Sequence, residues 1–162
     1  MFNINFAIAF LLSFVISLLI VPLVIRFSKK INIIDDPKKN KHPKVIHNYP
    51  VPRGGGLGLF IAILISALLV IPIDKHLLGI LVGALFITIL GIADDKFNIN
   101  PYIRLIAQFF IAAIPIATGI GIAFITNPLG GIIDLSTFQI NYNFLGNHSI
   151  WVLSDLFALA WI

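Results

Sequence analysis

Long apolar runs alternate with short polar interruptions along this chain, and the runs exceed the length of a soluble domain's core strands. A helix that crosses a bilayer needs roughly 20 consecutive apolar residues, with a range of about 17–25. Four runs reach that range: 4–25, 55–73, 77–93 and 105–125. A fifth opens near Ile150, and the sequence closes at Ile162. Thirteen helical residues rise only about 20 Å, short of a hydrocarbon core about 30 Å thick. The fifth run therefore reads as a truncated span, and the chain as the N-terminal piece of a longer protein. Pro22 softens the end of the first run, and Pro115, in the middle of the fourth, predicts a kink. The expected fold class is all-α: a polytopic transmembrane helical bundle of four complete spans and a partial fifth. It forms one integral-membrane domain over residues 1–162, incomplete at its C-terminus.

Composition agrees with this pattern. Of 162 residues, 59% are hydrophobic and 11% charged, whereas soluble domains carry about a quarter charged residues. The absence of Cys excludes a disulfide framework and a thiolate metal site. The N-terminus lacks the features of a cleaved signal peptide. No Lys or Arg precedes the first run, which is about twice the length of a signal peptide's apolar core, and no small-x-small cleavage site follows it. The first run reads as a permanent span.

Charge then orients the spans. The formal charge is +4, and eight of the eleven Lys and Arg lie between Arg26 and Arg53. Cytoplasmic loops of membrane proteins carry such an excess, so the loops 26–54 and 94–104 are expected on the cytoplasmic side. The turn at 74–76 and the cation-free stretch 126–149 are expected outside. Anionic lipid or phosphate explains a basic cluster between spans better than nucleic acid does.

Two polar constellations share the predicted cytoplasmic face. The first joins Asp35-Asp36-Pro37 to His47-Asn48-Tyr49-Pro50-Val51-Pro52-Arg53-Gly54-Gly55-Gly56. Glycines ahead of a helix expose backbone amides to anions. Arg53 can fork onto a phosphate, and His47 can donate to one or shuttle a proton. Loop punctuation plus topological charge explains the same residues without chemistry. The second constellation is Asp94-Asp95, directly after the third run, followed by Asn100-Pro101, Arg104 and Gln108. Two adjacent like charges repel, and a helix C-terminus disfavours anions, so a metal ion, a basic partner or a catalytic use should offset the pair. Carboxylates can bind Mg²⁺ or accept a proton. Arg104 and Gln108, four apart, share a helix face. A solvated turn is the plain alternative. His42, His76 and Asp134 read as solvated loop residues, Asp155 as interfacial, and Tyr142, Trp151 and Trp161 as aromatic-belt residues.

Taken together, three pieces resemble the polyprenyl-phosphate N-acetylhexosamine-1-phosphate transferases (glycosyltransferase family 4). They are Asp35-Asp36-Pro37 with His47-x-x-Pro50-Val51-Pro52-Arg53-x-Gly55-Gly56; Gly91-Ile92-Ala93-Asp94-Asp95; and Asn100-Pro101-x-x-Arg104-x-x-x-Gln108. The family includes undecaprenyl-phosphate GlcNAc-1-phosphate transferase and phospho-MurNAc-pentapeptide translocase. The resemblance implies Mg²⁺-dependent transfer of an N-acetylhexosamine 1-phosphate from a UDP-sugar to undecaprenyl phosphate, with UMP leaving. The setting implied is the cytoplasmic face of a bacterial plasma membrane, in cell-envelope glycan synthesis. It implies catalytic roles for Asp94 and Asp95 and substrate-binding roles for His47, Arg53, Gly55, Gly56 and Arg104. The metal ligand stays open between Asp94 and Asp95, and the principal ligand is implied beyond Ile162, so this piece alone is expected to be inactive. The partners implied are UDP-N-acetylhexosamine, undecaprenyl phosphate and membrane lipid, without nucleic acid; a homodimer stays open.

The Pro50–Arg53 form resembles the GlcNAc-1-phosphate branch more than the translocase. Two departures stand out: the stretch from Pro37 to His47 is about four residues longer than the family pattern, and the family's later Asn-rich Asp-Gly motif does not occur before Ile162. Two rival readings fit less well. A prenyltransferase that uses Asp-x-x-x-Asp would need an acid where Asn98 stands. A transporter would place ionisable residues deep in its spans, and the four complete runs contain none. The charge argument has a direct test. Cysteines placed at Asn48 and Asn141 should label from opposite sides of the membrane, and labelling from one side would break it.

Overall fold

The computed structural model describes residues 4–37, 48–127, 130–143 and 147–162, with backbone alone for residues 4–5, 141–143 and 147–150. Five helices occur among the described residues: α1 (Ile4–Lys30), α2 (Gly55–Val70), α3 (Lys75–Phe97), α4 (Pro101–Ala117) and α5 (Val152–Trp161). Six short strands, each paired antiparallel in a two-stranded ribbon, also occur among the described residues. β1 (Ile34–Asp35) and β2 (Val51–Pro52) lie between α1 and α2. β3 (Phe124–Thr126), β4 (Ile132–Asp134), β5 (Gln139–Asn143) and β6 (Asn147–Trp151) lie between α4 and α5.

The helices are apolar nearly all round, and large side chains such as Phe10, Leu19, Leu69 and Phe110 stand exposed. A helix that is hydrophobic on every face belongs in a core or a bilayer. Here those faces are uncovered, which suits lipid, and the chain is a membrane protein. α1 and α3 are long and apolar enough to cross a bilayer; their 27 and 23 residues rise about 40 and 35 Å. α2 and α4 are apolar but shorter, at 16 and 17 residues, or about 24–26 Å. The sequence reading of four complete spans is thus met by two helices of spanning length and two shorter ones.

Helix ends account for the difference. α1 continues past Ile25 through Lys29 and Lys30, cations that suit the negative end of a helix dipole, and it holds Pro22 inside. α3 continues through Asp94 and Asp95 to Phe97, so the carboxylates lie in its last turn and not beyond it. α4 starts four residues earlier than expected. Asn100 caps it, its Oδ1 accepting from Tyr102 N–H at 2.9 Å, and Pro101 occupies the first helical position, where its missing N–H costs nothing. α4 also stops early. The N–H groups of Thr118 and Gly119 turn back to Pro115 O and Ile116 O at 3.1 and 2.8 Å. Pro115 therefore stands two residues from the helix end, at the C-terminal turn and not at a mid-helix kink. The rest of the fourth apolar run leaves the helix and enters β3. The cation-free stretch 126–149 contains strand ribbons.

Two compact units divide the chain: Met1–Ile73 with Ala84–Leu105, and Asp74–Gly83 with Ile106–Ile162. In the first, α2 packs against α1 where Gly58 leaves no side chain; a Cβ there would stand 3.3 Å from Val21 Cγ2. A small clasp closes the base of this hairpin. Buried Ile33 donates its N–H to Ser28 O at 2.9 Å and accepts from Arg53 N–H at 3.0 Å, and β1 pairs with β2 through Ile34↔Pro52 and Asp35↔Val51. In the second unit, β3 pairs with β4 and β5 with β6. Asp134 accepts from both the hydroxyl and the N–H of Ser136; these bonds to the charged form hold its carboxyl below the usual range.

Gly54 joins the clasp to α2 with φ +97°, and an added Cβ would meet Ser28 Oγ at 3.1 Å. Left-handed backbone costs an L-residue about 1–2 kcal/mol. Gly54→Ala should therefore lower stability by about that amount, read as a reduced Tm in detergent; an unchanged Tm would show that the clasp does not hold this conformation.

Candidate functional site

The carboxylates Asp94 and Asp95 occupy the last turn of α3, and Arg104 the first turn of α4. Three residues, Asn98 to Asn100, turn the chain between the helices. Asn98 takes the left-handed conformation, φ +50°, which Asn adopts more readily than most residues. Its N–H closes the helix on Asp94 O at 2.9 Å. The Asp94 side chain then spans the corner. Its Oδ1 accepts from Ile99 N–H at 3.1 Å, and its Oδ2 accepts from Arg104 Nη1 at 2.6 Å.

Both charges stand at the unfavoured ends of their helices. Asp94 lies near the negative C-terminus of α3 and Arg104 near the positive N-terminus of α4, against the preference of the helix dipole in each case. Pairing across the corner offsets both. The side chains are 23% and 46% exposed, so solvent screening limits the pair to about 1 kcal/mol or less of stability. Its main effect is geometric: it fixes where the guanidinium points. Asp95 differs from its neighbour. It is half-buried, and it has no hydrogen bond or ion pair among the described residues. Gln108 lies exposed one turn further along α4.

The other constellation forms its own ion pair. Arg53 Nη2 lies 2.9 Å from Asp35 Oδ2, with the side chains 35% and 18% exposed. Gly55 and Gly56 follow as the first residues of α2, both exposed, with open space where a Cβ would stand. Their amides can be approached by an anion at a helix N-terminus. His47 lies outside the described residues. Thus Asp94 is joined to Arg104, and Arg53 to Asp35, a residue to which the sequence reading assigned no role. The loop between the third and fourth runs was expected, but the helix start inside it at Asn100-Pro101 was not, although Asn before Pro is a helix-start signature.

No group of three metal-ligating side chains occurs among the described residues. Mg²⁺ does not require one, because it keeps several waters and is commonly held by one or two carboxylates plus substrate phosphates. The uncommitted carboxylate of Asp95 fits such a role.

The family model of glycosyl transferase family 4 matches residues 77–161, which include the whole Asp94–Arg104 corner. The chain belongs to glycosyl transferase family 4. A curated relative, the probable undecaprenyl-phosphate N-acetylglucosaminyl 1-phosphate transferase of Bacillus subtilis (strain 168), is 32% identical over 126 residues. That alignment covers 77% of this chain and 34% of the relative, so the chain spans about a third of that protein's length. No solved structure gives a significant match. The family match leaves Asp35, Arg53, Gly55 and Gly56 outside its bounds.

The Asp35–Arg53 pair is partly solvated, so a double-mutant cycle with Asp35→Ala and Arg53→Ala should give a coupling of about 0.2–1 kcal/mol in thermal unfolding. A coupling above about 3 kcal/mol would mark a buried pair instead.

Proposed function

We propose that this chain is part of an enzyme that moves GlcNAc 1-phosphate from UDP-GlcNAc to undecaprenyl phosphate at the cytoplasmic face of a bacterial plasma membrane, for cell-envelope glycan synthesis. The observation that carries this reading is the Asp94–Asp95–Arg104 corner, lying within the family match, together with the likeness to the B. subtilis relative. In the reaction, a phosphate oxygen of the lipid attacks the β-phosphorus of the UDP-sugar. The bond from that phosphorus to the bridging oxygen breaks, and UMP leaves with the bridging oxygen.

Phosphoryl transfer depends on in-line positioning and on stabilising charge spread over phosphate oxygens. Residues of this chain can supply both. Arg104 keeps N–H donors beyond the one engaged by Asp94, and Arg53 keeps donors beyond the one facing Asp35. The open amides of Gly55 and Gly56 offer a further anion site at the start of α2, and His47 is a candidate donor. A bound Mg²⁺ would neutralise phosphate charge beside Asp95. The four apolar helices α1 to α4 suit a multi-pass arrangement in which both constellations share the cytoplasmic side, with a homodimer as an additional arrangement to test.

In the full-length protein, UMP release should require both UDP-GlcNAc and undecaprenyl phosphate and should stop when the metal is chelated. The Asp94→Ala/Asp95→Ala double variant should lose at least about 10²-fold in turnover while still inserting in membranes. Turnover of UDP-MurNAc-pentapeptide in place of UDP-GlcNAc would move the assignment to the translocase branch, and failure to release UMP from either donor would overturn the reading.

A further inference from the structure

The corner between α3 and α4 carries two large aromatic side chains that neither its ion pair nor the proposed chemistry uses. Phe97 is the last residue of α3, and Tyr102 is the second of α4. They are 69% and 77% exposed, although they flank a turn that the Asp94–Arg104 pair holds closed. Lys96 places its Nζ 5.4 Å from the centre of the Phe97 ring, within the range of cation–π attraction.

Neither water nor hydrocarbon suits this stretch. A ring left in water forgoes the burial free energy of a large apolar side chain. Yet Asp94, Asp95, Lys96, Asn98, Asn100 and Arg104 lie around the two rings in sequence, and charged groups in hydrocarbon are costly. The boundary between headgroups and acyl chains satisfies both sets. There the rings lie on apolar chains, the tyrosine hydroxyl and lysine ammonium reach the polar side, and the ammonium complements the anionic phosphates of a lipid leaflet. Helix length gives the same depth. From Leu77, just after the Asp74–His76 turn, to Phe97, α3 rises about 30 Å, which matches a hydrocarbon core about 30 Å thick. The helix ends on its aromatic residue, not at its first charge.

We propose that Phe97 and Tyr102, with Lys96, anchor the α3–α4 corner at the anionic headgroup boundary of the bilayer and so fix the depth of Asp95 and Arg104. The occupant of this surface is bulk phospholipid. The anchoring stands by itself; its consequence for catalysis rests on the transferase reading above. A polyprenyl phosphate keeps its chain in hydrocarbon and its phosphate among the headgroups. An arginine held at that level meets the phosphate without a change of depth by either. A UDP-sugar arrives from water, and its encounter does not depend on depth. Interfacial aromatic and basic residues set the tilt and rotation of a membrane helix, so loss of both rings frees the corner to shift and acts selectively on the lipid substrate.

Depth and kinetics test the two parts separately. In the full-length protein, with native cysteines replaced and phosphatidylglycerol-containing vesicles as the bilayer, nitroxide labels are placed singly at Phe97→Cys and Tyr102→Cys. Their collision rates with oxygen and with a water-soluble nickel chelate should place both within about 5 Å of the headgroup–acyl boundary, while a label at Leu85→Cys reads deep in the core. Labels that meet only the nickel chelate, or neither reagent because the rest of the protein covers them, overturn the anchor. The Phe97→Ala/Tyr102→Ala variant should raise KM for undecaprenyl phosphate about tenfold, with KM for UDP-GlcNAc changed by less than about twofold. Phe97→Trp/Tyr102→Trp should restore the wild-type value, and Tm in detergent separates misplacement from loss of fold. Boundary depth with an unchanged KM for the lipid, an equal rise in both KM values, or no rescue by tryptophan overturns the depth-setting role. Absence of UMP release from the wild type overturns the transferase reading, and the label depths still decide the anchor.

Discussion

A backbone amide inside hydrocarbon has no water to bond to, so each one must find its partner within the chain. That constraint shapes what the structure can do with charge. The helices satisfy their own amides and present apolar side chains on every face. Polar chemistry is displaced to the short segments where a helix ends and its last amides and carbonyls are open. In the first unit, both candidate constellations occupy such segments, and both are built the same way. A residue with left-handed backbone turns the chain, Asn98 in one case and Gly54 in the other. Beside it, an aspartate and an arginine close on each other.

The two arginines share a further property. Arg104 stands in the first turn of α4, and Arg53 lies just ahead of α2. Helix N-termini attract anions and disfavour cations, so each arginine adds positive charge to a place that is already positive. Asp94 and Asp35 make that tolerable in the resting protein. An incoming phosphate would meet a helix N-terminus and a guanidinium at one point, and the aspartate beside it limits how much of that charge is uncompensated beforehand. A carboxylate beside each arginine gives the guanidinium a defined position.

The sequence made the membrane class legible, because apolar runs of spanning length leave few alternatives. It also brought out Asp94, Asp95 and Arg104 as a group, through the cost of placing like charges at a helix end. Helix ends were less legible. A hydropathy pattern stops at the first charge, but a helix does not: Lys29 and Lys30 extend α1 with the help of its dipole, and Asp94–Phe97 continue α3. The apolar stretch after Ala117 looked like more helix, although Gly119, Gly121 and the β-branched residues among them favour the turn and strand found there. Apolar runs alone do not distinguish helix from strand. The partner of Arg53 could not be read because Asp35 is brought to it by strand pairing across a long connection, a non-local contact with no periodic signature.

That strand pairing also separates the length of the connection from the placement of the helices. The β1–β2 clasp brings the two ends of the connection between α1 and α2 together at Asp35 and Val51. What lies between them is tied at its base and does not set the spacing of the helices. The entropy of closing a loop grows only with the logarithm of its length, so a few added residues cost about 0.3 kcal/mol. A change of length between Asp35 and Val51 would therefore leave Arg53 beside its partner and α2 at its starting point.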